Sequence, residues 1–386
     1  MKITSVNPIF VDRYLLVEVH TDEGLVGVGE SGAWGFHEAT HANVKKFADY
    51  LVGEDPLRIE HHWQYMFRAF HFRGASIMGA ISAIDIALWD IAGQYRDAPV
   101  HALLGGKVRD KARVYHHVVG STRQELVDNV KQAKAEGFTA VGHLTPFLDE
   151  ERSKPYFETH VAKIRNAIDA VAAYREAVGD EVDLCIEIHR RLSPAEAVQL
   201  GLGIEEYHPY FYEDPVTPHN LDEMEYVAGK VNVPIATGER FTSIWDFAML
   251  LRRYAVQYVR PNVGLVGGIS GAKKVAALAE AQHVAVVPHN PQSPVLTAAS
   301  LHISAAIPNF GLLEFPGPTI PSLLAKRADE DDIVEGKAEY DGKGYLVVND
   351  RPGLGVKLRP DASDRCPYIQ RAIITRLNVD GSVIDQ

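Results

Sequence analysis

The amino-terminal part of the chain carries two hydrophobic periodicities. Apolar and polar residues alternate over residues 14–20 and 24–30, and the turn residues at 21–24 lie between them, so this segment predicts two strands in a hairpin. Farther along, apolar residues recur on one helical face over residues 81–94. We therefore expect residues 1–112 to form an α+β domain.

The pattern changes near residue 113, where short apolar runs begin to alternate with longer amphipathic stretches. Eight such runs are present, at residues 113–119, 140–144, 182–187, 210–213, 234–239, 256–260, 284–289 and 311–314. Strand-length runs separated by helical patterns are typical of a parallel α/β barrel. A doubly wound sheet also alternates, but it usually has a glycine-rich phosphate turn after an early strand, which we do not find. Residues 113–320 are therefore predicted to form the barrel.

Beyond residue 320 this alternation stops. Residues 343–348 and 353–358 have the composition of short strands. We expect residues 321–386 to return to the first domain, so that a capping domain is built from both ends of the chain.

Composition and charge narrow the class of function. Apolar residues make up 46% of the chain, which allows a large core. The formal net charge is −12, and no run of Lys or Arg stands out. Nucleic-acid binding needs a basic face that neutralises phosphate, so this class is not expected.

Two cysteines, Cys185 and Cys366, are too few for a disulfide framework. The first residues lack the charged start and unbroken apolar stretch of a signal peptide. No run of apolar residues approaches the length of a membrane span. We expect a cytoplasmic protein with no membrane partner.

Three acids stand at the ends of successive predicted strands, at equal intervals of 26 residues: Glu187, Glu213 and Glu239. The carboxyl ends of barrel strands converge on one face, where active sites are built. Three carboxylates in one place repel one another unless a cation lies between them. Mg²⁺ prefers oxygen ligands and keeps positions open for substrate, so the series predicts a magnesium site.

Two histidines and a fourth acid accompany this series. His189 lies two residues after Glu187 and points the same way on a strand. His289 ends the seventh predicted barrel strand, and Glu314 ends the eighth. A metal beside two imidazoles suits removal of a proton next to a carboxylate, because the metal stabilises the developing charge while the imidazoles act as base and acid.

The chain resembles the mandelate racemase subgroup of the enolase superfamily, and in particular its acid-sugar dehydratases. The similarity runs over nearly the whole chain, in ordered segments at residues 82–93, 99–106, 187–193, 212–215, 237–240, 288–291 and 352–356. This resemblance implies an α/β fold, a modified TIM barrel of (β/α)7β form with an α+β capping domain.

The resemblance also implies roles for single residues. Magnesium would lie on the three glutamates named above. His189 would be the acid that expels the 3-hydroxyl, and His289 the base that takes the C2 proton. Glu314 would assist at the substrate carboxylate, and the loop around Trp34 would close over the sugar.

Three positions depart from the family pattern. The first metal ligand is usually Asp, whereas this chain has Glu187. The partner of the seventh-strand His is usually Asp, and Asn262 stands there; its amide oxygen can orient the imidazole N–H but cannot stabilise an imidazolium, so His289 should be a weaker base. Gly142 replaces the catalytic Lys of racemases, which argues against a two-base racemase. Tyr156 is an alternative base, although an ordinary helix position explains it better.

These observations favour magnesium-dependent dehydration of a sugar acid, such as galactonate, mannonate or gluconate, to a 2-keto-3-deoxy acid. One alternative is a sugar-acid epimerase or cycloisomerase that uses the same enediolate. Another is a regulatory homologue that binds metal and sugar acid without turnover. The expected partner is a small sugar acid, and we expect a homo-oligomer.

Overall fold

The computed structural model describes residues 1–147, 155, 157–317, 328–373 and 375–384. The first elements form a three-stranded antiparallel sheet in the order β1–β2–β3, which comprises β1 (Ile3–Val11), β2 (Tyr14–Thr21) and β3 (Val26–Glu30). Helices follow it: α1 (His37–Leu51), α2 (Ile59–Arg68), α3 (Ala75–Tyr95) and α4 (Val100–Leu103). One sheet face packs on α1 and α3, and Tyr14, Leu16 and Val28 on the other face join the barrel core.

Eight parallel strands then close into a barrel. They are β4 (Lys111–His117), β5 (Ala140–Leu144), β6 (Asp183–Glu187), β7 (Phe211–Glu213), β8 (Ile235–Thr237), β9 (Tyr258–Val259), β10 (Ala285–Val286) and β11 (Leu313–Phe315). The strands from β4 to β10 pair with one another in chain order, and β11 pairs with β4. An isolated bridge between Val286 of β10 and Phe310, just before β11, completes the ring.

Among the described residues, seven α-helices lie between these strands: α5 (Arg123–Ala135), α6 (His160–Val178), α7 (Pro194–Ile204), α8 (Leu221–Ala228), α9 (Ile244–Leu251), α10 (Gly268–Glu280) and α11 (Pro294–Ala306). This order is the (β/α)7β form, so the predicted fold class is confirmed. Side chains such as Tyr115, Phe211 and Leu312 fill the barrel interior, which is therefore a packed core with its chemistry at one end.

The chain after the barrel adds short elements: α12 (Glu330–Ile333), β12 (Val334–Glu335), β13 (Glu339–Tyr340), β14 (Tyr345–Val347), β15 (Lys357–Leu358), α13 (Ala362–Arg365), β16 (Arg376–Leu377) and β17 (Val383–Ile384). Strand β14 extends the barrel sheet by pairing antiparallel with β4. Farther on, the backbone of Asp12 in the β1–β2 turn exchanges hydrogen bonds with Cys366 and Ile369.

Helix α3 joins the amino-terminal elements to the barrel through buried polar contacts. Asp85 accepts hydrogen bonds from the backbone N–H of Ser270 at 3.0 Å and from its hydroxyl at 2.6 Å. The hydroxyl of Ser82 accepts the N–H of Gly267 at 2.9 Å. Gly268 has φ of +72°, and a Cβ there would lie 2.2 Å from Oδ2 of Asp85. The start of α10 therefore needs glycine, because α3 approaches it closely.

A second joint involves Glu30, the last residue of β3. Its carboxylate accepts hydrogen bonds from the N–H and hydroxyl of Ser293 and from the N–H of Leu296, at 3.1, 2.5 and 3.0 Å. These donors belong to the first turn of α11, where a negative charge is favoured. Residues that start the 31–36 loop are thus held against the barrel.

Among the described residues, α3 is the one helix long and apolar enough to span a membrane by length and composition, and 78% of its most apolar stretch is buried in the protein. The expectation that no segment approaches this length was therefore wrong. Its apolarity has a local reason, because the helix lies between the amino-terminal sheet and the barrel.

The buried carboxyl of Asp85 gives a prediction about stability. Burial raises the pKa of Asp85 from 3.8 to about 7, although the hydrogen bonds from Ser270 act in the opposite direction. The stability that this group contributes is therefore fully present below about pH 4 and is lost as the pH rises through 7. The slope is at most about 1.4 kcal/mol per pH unit.

Asp85→Asn should remove that slope, since the amide cannot ionise. Chemical denaturation between pH 4 and 8 should show the variant gaining stability relative to the wild type as the pH rises. The exposed Asp49→Asn is the matched control and should follow the wild type. If the free energy of unfolding changed with pH in the same way in Asp85→Asn and in the wild type, the raised pKa of Asp85 would be contradicted.

Candidate active site

Three glutamates meet at the carboxyl end of the barrel. Glu187 and Glu213 are the last residues of β6 and β7 and are direct partners in the strand register. Glu239 lies two residues after β8. Each offers a carboxylate oxygen, and the three oxygens lie within 4.8 Å of one another. The equal spacing in sequence thus corresponds to neighbouring strand ends in space.

Burial makes this convergence costly without a cation. It raises the pKa of Glu213 well above its ordinary value, and the charges of Glu187 and Glu239 add to that effect against the opposing charge of Arg260. Burial also opposes ionisation of Glu239, but Arg190 and then His289 outweigh it, and the pKa of Glu239 is lowered. An all-oxygen donor set with strong mutual repulsion fits a hard divalent cation.

Two arginines that the sequence analysis did not single out pair with these acids. Arg260 follows β9, is buried, and contacts the carboxylates of Glu213 and Glu314. Arg190 follows β6, and its Nη1 lies 2.5 Å from Oε1 of Glu239 and 2.8 Å from Oδ2 of Asp214. Arg260 is the last residue of the sixth predicted strand, so a search for charged residues at the ends of the eight predicted strands could have identified it.

His189, the predicted acid, lies beside the first glutamate. Its Nε2 is 2.6 Å from Oε1 of Glu187. On the other side, Nδ1 of His143 is 2.8 Å from Oε2 of the same carboxylate. Burial opposes ionisation of Glu187, but the charges of His189 and His143 outweigh it and hold the pKa of Glu187 well below its usual value.

His143 was missed in the sequence because it lies next to the position that was compared with the racemase Lys. That position, Gly142, faces the barrel interior, and a Cβ there would lie 2.3 Å from Cδ2 of Tyr115 and 3.0 Å from Cβ of Cys185. A lysine side chain therefore has no room. The β5–β6 register shifts between Val141 and Leu144, and His143 has φ of +52°. The irregularity turns the imidazole towards the site.

His289, the predicted base, lies by the third glutamate, with Nε2 3.2 Å from Oε2 of Glu239. Its Nδ1 is 2.9 Å from Nδ2 of Asn262. The oxygen of that amide accepts the N–H of Gly264 at 2.9 Å. Because a backbone N–H requires the oxygen on its side, the amide orientation is determined, and its NH₂ group donates to His289.

This arrangement corrects one expectation. The amide oxygen of Asn262 was expected to orient the imidazole N–H, but that oxygen is bonded to Gly264 instead. An amide donor on Nδ1 makes this nitrogen an acceptor, so the neutral ring of His289 carries its proton on Nε2, the nitrogen that faces Glu239. In this tautomer the nitrogen that faces the glutamates has no lone pair free to take a proton.

Glu314 is buried and fully engaged. One oxygen is 2.6 Å from Nε2 of His117, and the other accepts the N–H of Asn290 at 2.9 Å and contacts Arg260. Burial opposes its ionisation, but His289, Arg260 and His117 hold the pKa of Glu314 well below its usual value. Glu314 is therefore a carboxylate anion surrounded by positively charged side chains, and it orients the hydrogen-bond donors around it.

Two further residues were predicted for the site, Trp34 and Tyr156. Trp34 is on the 31–36 loop, and this loop reaches the site through Gly32. The Cα of Gly32 lies against the amide of Asn262. The N–H of Gly32 donates a hydrogen bond to the carbonyl oxygen of Gly264. The Trp34 ring is 46% exposed and stacks under the guanidinium of Arg371 at 4.1 Å. Tyr156 lies outside the described residues.

Comparison with known proteins agrees with this geometry. Residues 2–105 match the profile of the mandelate racemase / muconate lactonizing enzyme N-terminal domain, and residues 125–362 match the enolase C-terminal domain-like profile. A D-galactonate dehydratase family member from Streptomyces bingchenggensis is 34% identical, over 97% of this chain and 94% of the relative.

Solved structures show the same similarity. An enolase from Agrobacterium radiobacter, provisionally described as a galactarate dehydratase and bound to sodium and L-malate, has a TM-score of 0.92 and 31% identity, with 100% of both chains covered. A mandelate racemase/muconate lactonizing enzyme from Jannaschia sp. CCS1 has a TM-score of 0.85 and 30% identity, over 98% of this chain and 100% of that one. The chain therefore belongs to the mandelate racemase / muconate lactonizing enzyme family of the enolase superfamily.

Proposed function

We propose that the protein is a magnesium-dependent dehydratase that converts a sugar acid, an aldonate such as galactonate, mannonate or gluconate, to its 2-keto-3-deoxy acid. The observation that carries the proposal is the row of three glutamates, two of them buried and the third largely buried, with an imidazole at each end: His189 beside Glu187 and His289 beside Glu239. Such a row suits one cation and one small anionic substrate between an acid and a base.

The names of the relatives support the substrate class. One is described as a D-galactonate dehydratase family member and another, provisionally, as a galactarate dehydratase. The second of these holds L-malate, a 2-hydroxy acid whose carboxylate and neighbouring hydroxyl also occur in an aldonate.

Magnesium is proposed because the glutamate row offers only oxygen ligands. When bound, the ion would supply positive charge where the substrate carboxylate gains electron density. Arg260 pairs with Glu213 and Arg190 with Glu239, so these arginines already compensate part of the negative charge of the row.

In this proposal His289 takes the proton from C2, and His189 gives a different proton to the 3-hydroxyl, which leaves as water while a C2–C3 double bond forms. The resulting enol then tautomerises to the 2-keto acid. His189 stands ready as a donor, because Glu187 accepts a hydrogen bond from its ring nitrogen. His289 takes a proton at Nε2 only in its other tautomer, in which its Nδ1–H would face the NH₂ group of Asn262. In that tautomer two N–H donors face each other and one hydrogen bond is lost, at a cost of about 1 kcal/mol or more.

The hydrogen bond that Asn262 donates to His289 favours a second candidate function. A homologue whose imidazole is held in the proton-bearing tautomer could bind metal and sugar acid without turnover, since Asn262 donates to His289. The racemase alternative has less support, because Gly142 leaves no room for a second-strand lysine.

A screen of aldonic and aldaric acids for 2-keto acid formation, with and without Mg²⁺, tests the proposal. We expect at least one acid to give a magnesium-dependent keto product. Epimerised or cyclised product without a keto acid would instead indicate the alternative enzyme. Thermal stabilisation by a sugar acid without any product would identify the binding homologue.

Glu213→Gln tests the metal assignment. Without metal the pKa of Glu213 is raised well above its ordinary value by burial, so a neutral amide should leave the fold intact. We expect calorimetry to show Mg²⁺ affinity reduced at least tenfold and the activity found in the screen to be lost. The control is the exposed Glu225→Gln on α8, which should bind Mg²⁺ normally. Unchanged Mg²⁺ binding in Glu213→Gln would remove the glutamate row as the metal site.

Asn262→Asp tests the base. One carboxylate oxygen can keep the N–H of Gly264, and the other can accept Nδ1–H of His289, which leaves Nε2 free to take the C2 proton. Exchange of the C2 proton in deuterated water should become at least tenfold faster. Because an anion favours the protonated imidazole, the acid limb of the kcat/KM profile should move to higher pH.

The control for added charge is Asn7→Asp at an exposed position of β1. An unchanged acid limb in Asn262→Asp, together with unimpaired turnover in His289→Ala, would show that the proton is taken elsewhere. Tyr156 would then be the next candidate.

A further inference from the structure

The end of β5 adds a nitrogen ligand beside the glutamate row, and the mechanism proposed above does not use it. The register shift in β5 and the positive φ of His143 turn this imidazole to Glu187. His189, on the opposite side of the same carboxylate, also has a positive φ, +55°. A left-handed backbone costs a non-glycine residue about 1–2 kcal/mol, so two in one cluster indicate that these orientations are held by their surroundings.

Three side chains form this cluster, and their geometry is that of a ligand set. Nδ1 of His143 is 2.8 Å from one oxygen of Glu187, and Nε2 of His189 is 2.6 Å from the other. One ligand atom from each lies within 4.8 Å of the other two. The imidazole rings are 5.1 Å apart and inclined by 66°, so they approach the carboxylate from different directions.

The cluster is also accessible. The side chains of His143 and His189 are each 29% exposed, whereas that of Glu187 is 6% exposed. Three protein ligands around one open side leave room for water on a bound ion, the arrangement of ion sites with exchangeable positions.

Its donor atoms differ from those of the glutamate row. Two imidazoles and one carboxylate suit Zn²⁺ and similar transition-metal ions, whereas an all-carboxylate row suits Mg²⁺. Glu187 belongs to both sets and has two oxygens. It can therefore give one oxygen to each of two neighbouring ions.

We propose that His143, Glu187 and His189 form a second divalent-cation site, selective for ions that accept imidazole ligands such as Zn²⁺ and Co²⁺. The site shares Glu187 with the oxygen-only row. An ion bound here occupies Nε2 of His189, the nitrogen that would otherwise donate a proton. Zn²⁺ then inhibits the magnesium-loaded enzyme, a consequence that rests on the proposed function, whereas the binding itself does not.

Calorimetric titration of ZnCl₂ and MgCl₂ into the metal-free full-length protein tests the site without any substrate. His143→Asn should weaken Zn²⁺ binding at least tenfold and change Mg²⁺ binding less than twofold. His61→Asn, an exposed histidine on α2, is the matched control and should bind both ions normally. Glu213→Gln should lose Mg²⁺ and keep Zn²⁺.

Visible absorption of bound Co²⁺ gives a second measurement that reports ligand type. The wild type should show intense d–d bands of a low-coordinate nitrogen-ligated ion, and His143→Asn and His189→Asn should each lose them. Equal Zn²⁺ affinity in His143→Asn and the wild type would overturn the proposal. So would loss of Zn²⁺ together with Mg²⁺ in Glu213→Gln, because the ion would then lie in the glutamate row.

These experiments distinguish a failure of the proposed dehydratase function from a failure of the proposed second cation site. A protein that shows no keto acid in the screen can still bind Zn²⁺ through His143. Conversely, a magnesium-dependent dehydratase whose Zn²⁺ binding is indifferent to His143 would retain its function and lose only this site.

Discussion

The carboxyl end of the barrel concentrates negative charge where water cannot screen it. Four acids are buried there, Glu187, Glu213, Asp214 and Glu314, and a fifth, Glu239, is largely buried. At a separation of a few ångströms, like charges in a poorly polarisable interior repel one another far more strongly than in water. Much of the surrounding structure can be understood as compensation for this repulsion.

The compensation comes from strand ends on both sides of the row. Arg260 joins Glu213 to Glu314, and Arg190 joins Asp214 to Glu239. The two end members of the row, Glu187 and Glu239, also contact the imidazoles of His189 and His289. An arginine is suitable for such positions because its planar group can serve two carboxylates at once. The acids can thus remain close enough to share one cation.

The side-chain amide of Asn262 determines which ring nitrogen of His289 carries the proton. Since the N–H of Gly264 holds the oxygen of Asn262, the NH₂ group must face His289. An aspartate in that place would present an acceptor and free the reactive nitrogen. In the proposed mechanism, whether His289 can act as the base therefore depends on the side-chain atom of residue 262 that faces it, and on the backbone N–H of Gly264 that fixes this side chain.

The sequence by itself determined the barrel and the glutamate row. Eight apolar runs with helical patterns between them specify parallel strands, and acids that end consecutive strands must meet, because parallel strands place their carboxyl ends on one face. The structure brings Glu187, Glu213 and Glu239 together as that rule requires. His189 could be located in the same way, two residues beyond a strand-end acid.

Tertiary structure alone decided the positions that depend on local irregularity or on distant partners. The approach of His143 to Glu187 follows from a shifted register in β5, and no hydrophobic period in the sequence encodes such a shift. The orientation of Asn262 follows from hydrogen-bond donors that the fold places on its two sides. Periodicity reports which face of an element is buried, whereas the direction of one amide or one imidazole depends on the atoms that the rest of the chain places around it.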